Sequence, residues 1–178
     1  MAFGEIPRPL ADVPILYPTG QKLSVKTKYR GKVCVIVLIA TTCNSCKAMV
    51  DQLAKLQKQF GPRGMVAVGA VVDEQNAKYT VGPWVARYRP AFEFGYLEKP
   101  EFIKLADIPA NMRPFVPVVL FVDKKGKVRF QAYGDDAVMK QTEKAFPAII
   151  DGLLKDQEGP MSTTKQVDAA GKELPAKK

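Results

Sequence analysis

A chain of 178 residues, 47% apolar and 25% charged, is long enough to bury one sizeable core and has the make-up of a soluble globular domain. Its formal charge of +9 does not point to nucleic acid, because Lys22, Lys26, Lys28 and Lys32 are dispersed and no aromatic residues alternate with them as on a strand-binding surface. The excess reads as a solvated basic face with weak attraction to acidic partners or anionic lipid, and the lack of histidine removes the usual imidazole base, proton shuttle and metal ligand.

The first ten residues show no basic segment followed by an apolar stretch, so no secretory signal is visible; whether a leader or anchor preceded Met1 stays open. Pro7, Pro9, Pro14 and Pro18 mark residues 1–20 as an extended arm laid across the domain. Thr19-Gly20-Gln21 reads as a turn, Leu23 and Val25 as a short strand, and residues 29–32 as a connection. Residues 33–40 are unbroken apolar and rich in β-branched side chains, as in a central strand covered on both faces. That run falls well short of the roughly 20 residues a membrane helix needs. Thr41 and Thr42 can cap a helix.

From 43 to 60, Cys46, Met49, Val50, Leu53, Leu56 and Phe60 recur at three- and four-residue steps, with Lys47, Asp51, Gln52, Lys55, Lys58 and Gln59 on the other face. The pattern predicts an amphipathic helix, stopped by Gly61-Pro62. Residues 65–72 form the next apolar strand, and strand–helix–strand implies a right-handed crossover between parallel strands. Residues 73–115 are less regular, with helices expected at 82–88 and 100–105 and connections at 89–90 and 109–114. Strands follow at 116–122 and 127–132, joined by Asp123-Lys124-Lys125-Gly126, a hairpin turn whose glycine is free to take positive φ. Met139, Phe146, Ile149, Ile150, Leu153 and Leu154 predict a final helix, which Pro147 should kink or start late. Apolar content then collapses, so the chain divides into the arm 1–20, a domain 21–155 and a flexible tail 156–178.

Three cysteines cannot build a multi-disulfide scaffold, and Cys43-Asn44-Ser45-Cys46 pairs two of them at C-x-x-C spacing. The motif falls at the carboxyl end of one strand and the amino end of the next helix, where open α/β sheets place their sites. Thiols three apart on a helix are neighbours, so a local disulfide can close and reopen without moving the domain. Unpaired N–H groups and the positive end of the helix dipole stabilise a thiolate at Cys43, and the thiolate is the nucleophile of disulfide exchange. Cys43, at the exposed tip, is expected to attack a substrate disulfide, and Cys46, one turn inside, to resolve the mixed disulfide. Asn44 and Ser45 keep their N–H groups but carry no charge, so the acidification of Cys43 is expected to be moderate.

Half of a zinc site is a competing reading, but zinc wants four ligands and neither a second cysteine pair nor a histidine exists. Two core cysteines at chance spacing is another. Cys34, inside the apolar strand, reads as inert packing. The second chemical element is Val116-Pro117, since a proline opening an apolar strand supplies no ladder donor. A cis bond there would free the Val116 N–H and C=O to pair with a bound peptide; an edge-strand proline would account for the residue as well. No organic cofactor is needed, because the disulfide itself carries the electrons.

In order, Arg30-Gly31-Lys32-Val33, Ala40-Thr41-Thr42-Cys43-Asn44-Ser45-Cys46-Lys47, residues 66–73, Val116-Pro117 and residues 121–128 resemble the thioredoxin superfamily, specifically its TlpA/ResA-like branch, which overlaps the peroxiredoxin-like fold. The resemblance covers roughly residues 18–154. It implies a thioredoxin-like fold: a central mixed sheet flanked by helices, with an N-terminal extension and a helical insertion over 84–107. It implies Cys43 as nucleophile, Cys46 as resolving thiol and Pro117 as a cis-proline facing them, with Val116, Thr42, Asn44 and Ser45 around the substrate. The implied activity is thiol–disulfide exchange, most simply reduction of protein disulfides with electrons from a donor thiol protein. The implied setting is periplasmic or otherwise extracytoplasmic, with any membrane anchoring through a segment not present in this chain. A cytoplasmic setting stays open, as does a thioredoxin-fold binding module with little or no turnover.

Three positions depart from the pattern. Thr42 stands where a tryptophan usually precedes the first cysteine, Val37 where many thioredoxins bury an acid, and Met49 where TlpA-like reductases often place a glutamate. Without either carboxylate nothing obvious accepts the proton of Cys46, so resolution is expected to be slow near neutral pH. Asp73, Glu74 and Glu93 are the candidates to substitute. A peroxidase reading is weaker, because Ala40 stands three residues before Cys43, where peroxiredoxins place a threonine.

Overall fold

In the computed structural model residues 4–134 and 136–156 are described, and the tail expected from 156 lies almost wholly outside them. The chain runs β1 (Arg8–Pro9), β2 (Ile15–Leu16), β3 (Lys22–Leu23), α1 (Val25–Lys28), β4 (Val33–Ile39), α2 (Asn44–Phe60), β5 (Met65–Val71) and α3 (Ala77–Tyr88). It continues through β6 (Glu93–Tyr96), α4 (Lys99–Ala106), β7 (Val118–Val122), β8 (Lys127–Tyr133) and α5 (Thr142–Lys155). One sheet holds these strands in the order β1-β8-β7-β4-β5-β6-β2-β3. At its centre β4 runs parallel to β5 and antiparallel to β7, and β6 extends the parallel set. This is the mixed, helix-flanked sheet that the sequence predicts.

Every β4 side chain is buried because both faces are covered. Val33, Val35, Val37 and Ile39 point to a cluster with Leu53, Phe60, Phe146 and Ile150 of α2 and α5. Cys34, Ile36 and Leu38 point to the opposite cluster, with Leu10 and Val13 of the arm, Val25 of α1 and Phe102 and Leu105 of α4. Each fully buried side chain of this size contributes roughly 1.5–3 kcal/mol. The arm reaches both edges of the sheet: β1 pairs with β8 at one, and β2 with β6 and β3 at the other.

The structure departs from expectation at several places. Val25 belongs to a one-turn helix rather than a strand, because Ser24 Oγ accepts the Thr27 N–H and caps it. Helix α3 begins at Ala77, ahead of residue 82, and contains Pro83. Strand β6 lies in a stretch that looked irregular, so the expected helical insertion over 84–107 holds the end of α3, a strand and α4. Gly95 is required in β6, since an added Cβ would come within 2.4 Å of the Leu16 carbonyl oxygen. Pro147 lies inside α5, which starts at Thr142, and so does not mark a late start. The hairpin turn forms as predicted: Asp123 accepts the N–H groups of Lys125 and Lys127, both at 2.9 Å, and Gly126 takes φ +81°.

Candidate active site

Past Ile39 the backbone leaves the sheet and turns, the Cys43 N–H donating to the Ala40 carbonyl at 3.2 Å. The residue that caps α2 is Cys43, not Thr41 or Thr42. Its backbone is extended (φ −93°, ψ 108°), and its Sγ accepts the Cys46 N–H at 3.3 Å. Thr41 is unavailable as a cap because its N–H and hydroxyl both donate to Asp73, at 2.8 and 2.6 Å. The Cys43 sulfur thus occupies the place where orphan helix N–H groups point. Ser45 Oγ lies 3.3 Å from the same sulfur.

Cys43 and Cys46 are joined as a disulfide, with Cα atoms 5.3 Å apart. Cys43 is half-buried, and Thr42, Asn44 and Ser45 are exposed beside it. Cys46 is fully buried. Lys47, the next residue, pairs with Asp51 and lies 5.4 Å over the Tyr88 ring.

Behind Cys46 the core cluster includes Val37, Met49, Val50 and Leu53. The two positions where an acid was wanted are therefore apolar and packed. Of the three substitutes considered, Glu93 is removed from the site: it opens β6, whereas the cysteine pair lies past the carboxyl ends of the parallel strands. It accepts from Lys28 Nζ at 2.6 Å and Tyr29 Oη at 2.7 Å. Desolvation pulls its carboxyl upward, but these hydrogen bonds prevail and hold it below the ordinary carboxylate range. Across the same cluster, burial and then the Glu93 charge push Tyr17 up to about 12. Glu74 is exposed, 3.7 Å from Lys99 Nζ. Only Asp73 meets the turn that leads into Cys43, and it also accepts from Thr80 Oγ1 of α3 at 2.7 Å. No local pattern marked Thr41 or Thr80 as its partners.

The Val116–Pro117 peptide bond is cis. Strand β7 begins only at Val118, so Pro117 precedes the ladder instead of interrupting it. Val118 pairs with Leu38 in antiparallel register, which brings residues 116–117 to the carboxyl end of β4, the end where Cys43 follows. The Pro117 carbonyl accepts from Gly134 N–H at 3.2 Å, and the partly exposed Phe115 packs edge-on against Tyr133 at 5.3 Å. Cys34 is the third cysteine, a free thiol buried mid-sheet, and burial drives it far above its ordinary range. Among the described residues no helix is long and apolar enough to cross a membrane.

The sequence profile described as the AhpC/TSA family matches residues 11–131. No curated protein matches the chain. Solved structures do, and they show the fold. A thiol:disulfide interchange protein of the thioredoxin family from Chlorobium tepidum TLS is 21% identical, with a TM-score of 0.64 over 85% of this chain and 99% of that one. A secreted disulfide oxidoreductase from Mycobacterium tuberculosis, described as homologous to E. coli DsbE, is 15% identical, with a TM-score of 0.58 over 80% and 96%. A thioredoxin-like protein from Porphyromonas gingivalis is 18% identical, with a TM-score of 0.63 over 84% and 94%.

Proposed function

The chain belongs to the AhpC/TSA family, and from that premise we propose that it is a thiol–disulfide oxidoreductase reducing protein disulfides through Cys43 and Cys46. The observation that carries the reading is the cysteine disulfide at the start of α2, one sulfur at the helix tip beside exposed residues and the other buried beneath it.

In the proposed cycle the Cys43 thiolate attacks one sulfur of a substrate disulfide. That bond breaks, and its other sulfur leaves as a thiolate and takes a proton from solvent. Cys46 loses its proton and attacks the Cys43 sulfur, forming the Cys43–Cys46 bond and expelling the second substrate thiolate, which is protonated in turn. Two electrons and two protons pass from the dithiol to the substrate, leaving the protein as the disulfide described above. A donor dithiol protein returns the pair to its reduced form by the reverse exchange. Pro117 and Val116, with Thr42, Asn44 and Ser45, frame the substrate chain in this reading; their place at the carboxyl end of β4 supports it. We assign the activity to a compartment outside the cytoplasm, where protein disulfides persist.

Equilibration with glutathione at a series of ratios tests the reading. The expected result is a reversible two-electron couple, with turnover of a protein disulfide that Cys43→Ser abolishes and a mixed disulfide that Cys46→Ser accumulates. An alkylation pattern unchanged across the whole series would instead mark a binding module without turnover. Consumption of peroxide in preference to disulfide would make the protein a peroxidase.

A further inference from the structure

We propose that Asp73 is a positioning residue for the cysteine pair, setting the reactivity of Cys43 by clamping the turn that precedes it; the inference rests on the redox reading above. Asp73 comes just after β5, where Val72 N–H donates to the Ile39 carbonyl at 2.8 Å and keeps the two chains side by side for one step beyond the strands. There its Oδ1 accepts the Thr41 N–H at 2.8 Å, and its Oδ2 accepts both the Thr41 hydroxyl at 2.6 Å and the Thr80 hydroxyl at 2.7 Å. One half-buried carboxylate thereby ties three segments together: the end of β5, the turn at 40–43 and the first turns of α3. Hydrogen bonds to an ionised carboxylate are roughly twice as strong as neutral ones.

The clamp acts on Cys43 through Thr41. Two residues of backbone span at most about 7 Å, so fixing Thr41 limits where the Cys43 sulfur can lie relative to the Cys46 N–H that it accepts. The same carboxylate sets a negative charge against the Thr41 backbone, two residues before Cys43. Clamp and charge therefore oppose each other: the first favours a thiolate at Cys43 by holding it on its donor, and the second disfavours it. Of the neighbouring charges, Lys47 pairs with Asp51, and Glu74 lies exposed 3.7 Å from Lys99.

Two substitutions separate the effects. In Asp73→Asn the amide oxygen still accepts the Thr41 N–H, and the two hydroxyls can rotate to accept from the amide nitrogen, so the clamp stays while the charge goes. Asp73→Ala loses both. The measurement is the rate of alkylation of Cys43 in the reduced protein at one slightly acidic pH, read by mass spectrometry, with Cys34 as an internal reporter of unfolding. Asp73→Asn is expected to react about threefold faster than the wild type, and Asp73→Ala about tenfold slower than Asp73→Asn. Equal rates for Asn and Ala would overturn the proposal. Should Cys34 become reactive in Asp73→Ala, the Thr41→Val/Thr80→Val pair removes both hydroxyl bonds and keeps the charge. It is expected to slow Cys43 about threefold, and an unchanged rate would overturn the proposal equally. Alkylation reads Cys43 without turnover, so failure of the glutathione couple and failure of the clamp give different results.

Discussion

Cys43 caps a helix and is proposed to attack disulfides, and substitution can remove the second role while keeping the first. Serine at position 43 puts an oxygen where Sγ accepts the Cys46 N–H at 3.3 Å, and serine is among the preferred capping residues, whereas alanine leaves that donor without its cap at a cost of about 1 kcal/mol. The comparison has to be made in the reduced state. A disulfide between residues with a sequence separation of 3 contributes about 2 kcal/mol in the chain-entropy account, enough to mask the cap. Urea unfolding at neutral pH with excess reductant should therefore place Cys43→Ser at or above the reduced wild type. Cys43→Ala should lie about 1 kcal/mol below Cys43→Ser, a difference of about 2–4 °C in Tm for a chain of this size. Because a thiolate accepts more strongly than a thiol, the reduced wild type should gain on Cys43→Ser as pH rises. Equal midpoints for Ser and Ala, at equal m-values, would mean that the sulfur does not cap the helix and that its reactivity has another source.

Met49→Glu should restore a proton acceptor one turn beyond Cys46. Release of thionitrobenzoate from the Cys43 mixed disulfide is expected to quicken at least about tenfold near neutral pH, while burial of the new carboxyl destabilises the fold by about 2–4 kcal/mol; an unchanged rate in a folded variant would refute the missing-carboxylate argument. Cys34 should resist alkylation in the native protein at mildly alkaline pH and react on unfolding, and Cys34→Ala should leave disulfide turnover within about twofold of the wild type. The Glu93 carboxyl is held below its ordinary range, so its stabilisation is full above about pH 4.3 and is lost as pH falls through the lower folded value. Glu93→Gln should accordingly weaken the protein at neutral pH and flatten the acid limb of its stability curve; an acid limb identical to that of the wild type would count against the Lys28–Tyr29–Glu93 cluster as a stabilising unit.

The elements that could be read from the sequence are those whose pattern is local. The unbroken apolar run of β4, the three-and-four spacing of α2 and the turn at 123–126 each carry their own signal, and so does the cysteine spacing. What escaped depends on partners distant in sequence. Residues 93–96 become a strand because β5 and β2 flank them and Gly95 admits the Leu16 backbone. Val25 turns helical because Ser24, a residue that suits a turn equally well, caps the next four residues. Thr41 and Thr42 look interchangeable as caps until Asp73, 32 residues later, takes Thr41. Around the cysteines the same division holds: their pairing followed from spacing, the cis bond at Pro117 was expected only through the family resemblance, and the hydrogen bonds of Asp73 to Thr41 and Thr80 left no local mark.

The arm also bears on what the protein must avoid. A sheet ending in long, bare strands offers unpaired N–H and C=O groups to any extended polypeptide, including another copy of itself. Here the outermost strands, β1 and β3, are two residues each. One carries Pro9, which has no N–H to offer, and the other the exposed charge of Lys22. A protein whose proposed clients are polypeptides thus keeps its own borders poor templates for strand addition, leaving the cysteine end of the sheet as the place where the proposed exchange would meet an extended chain.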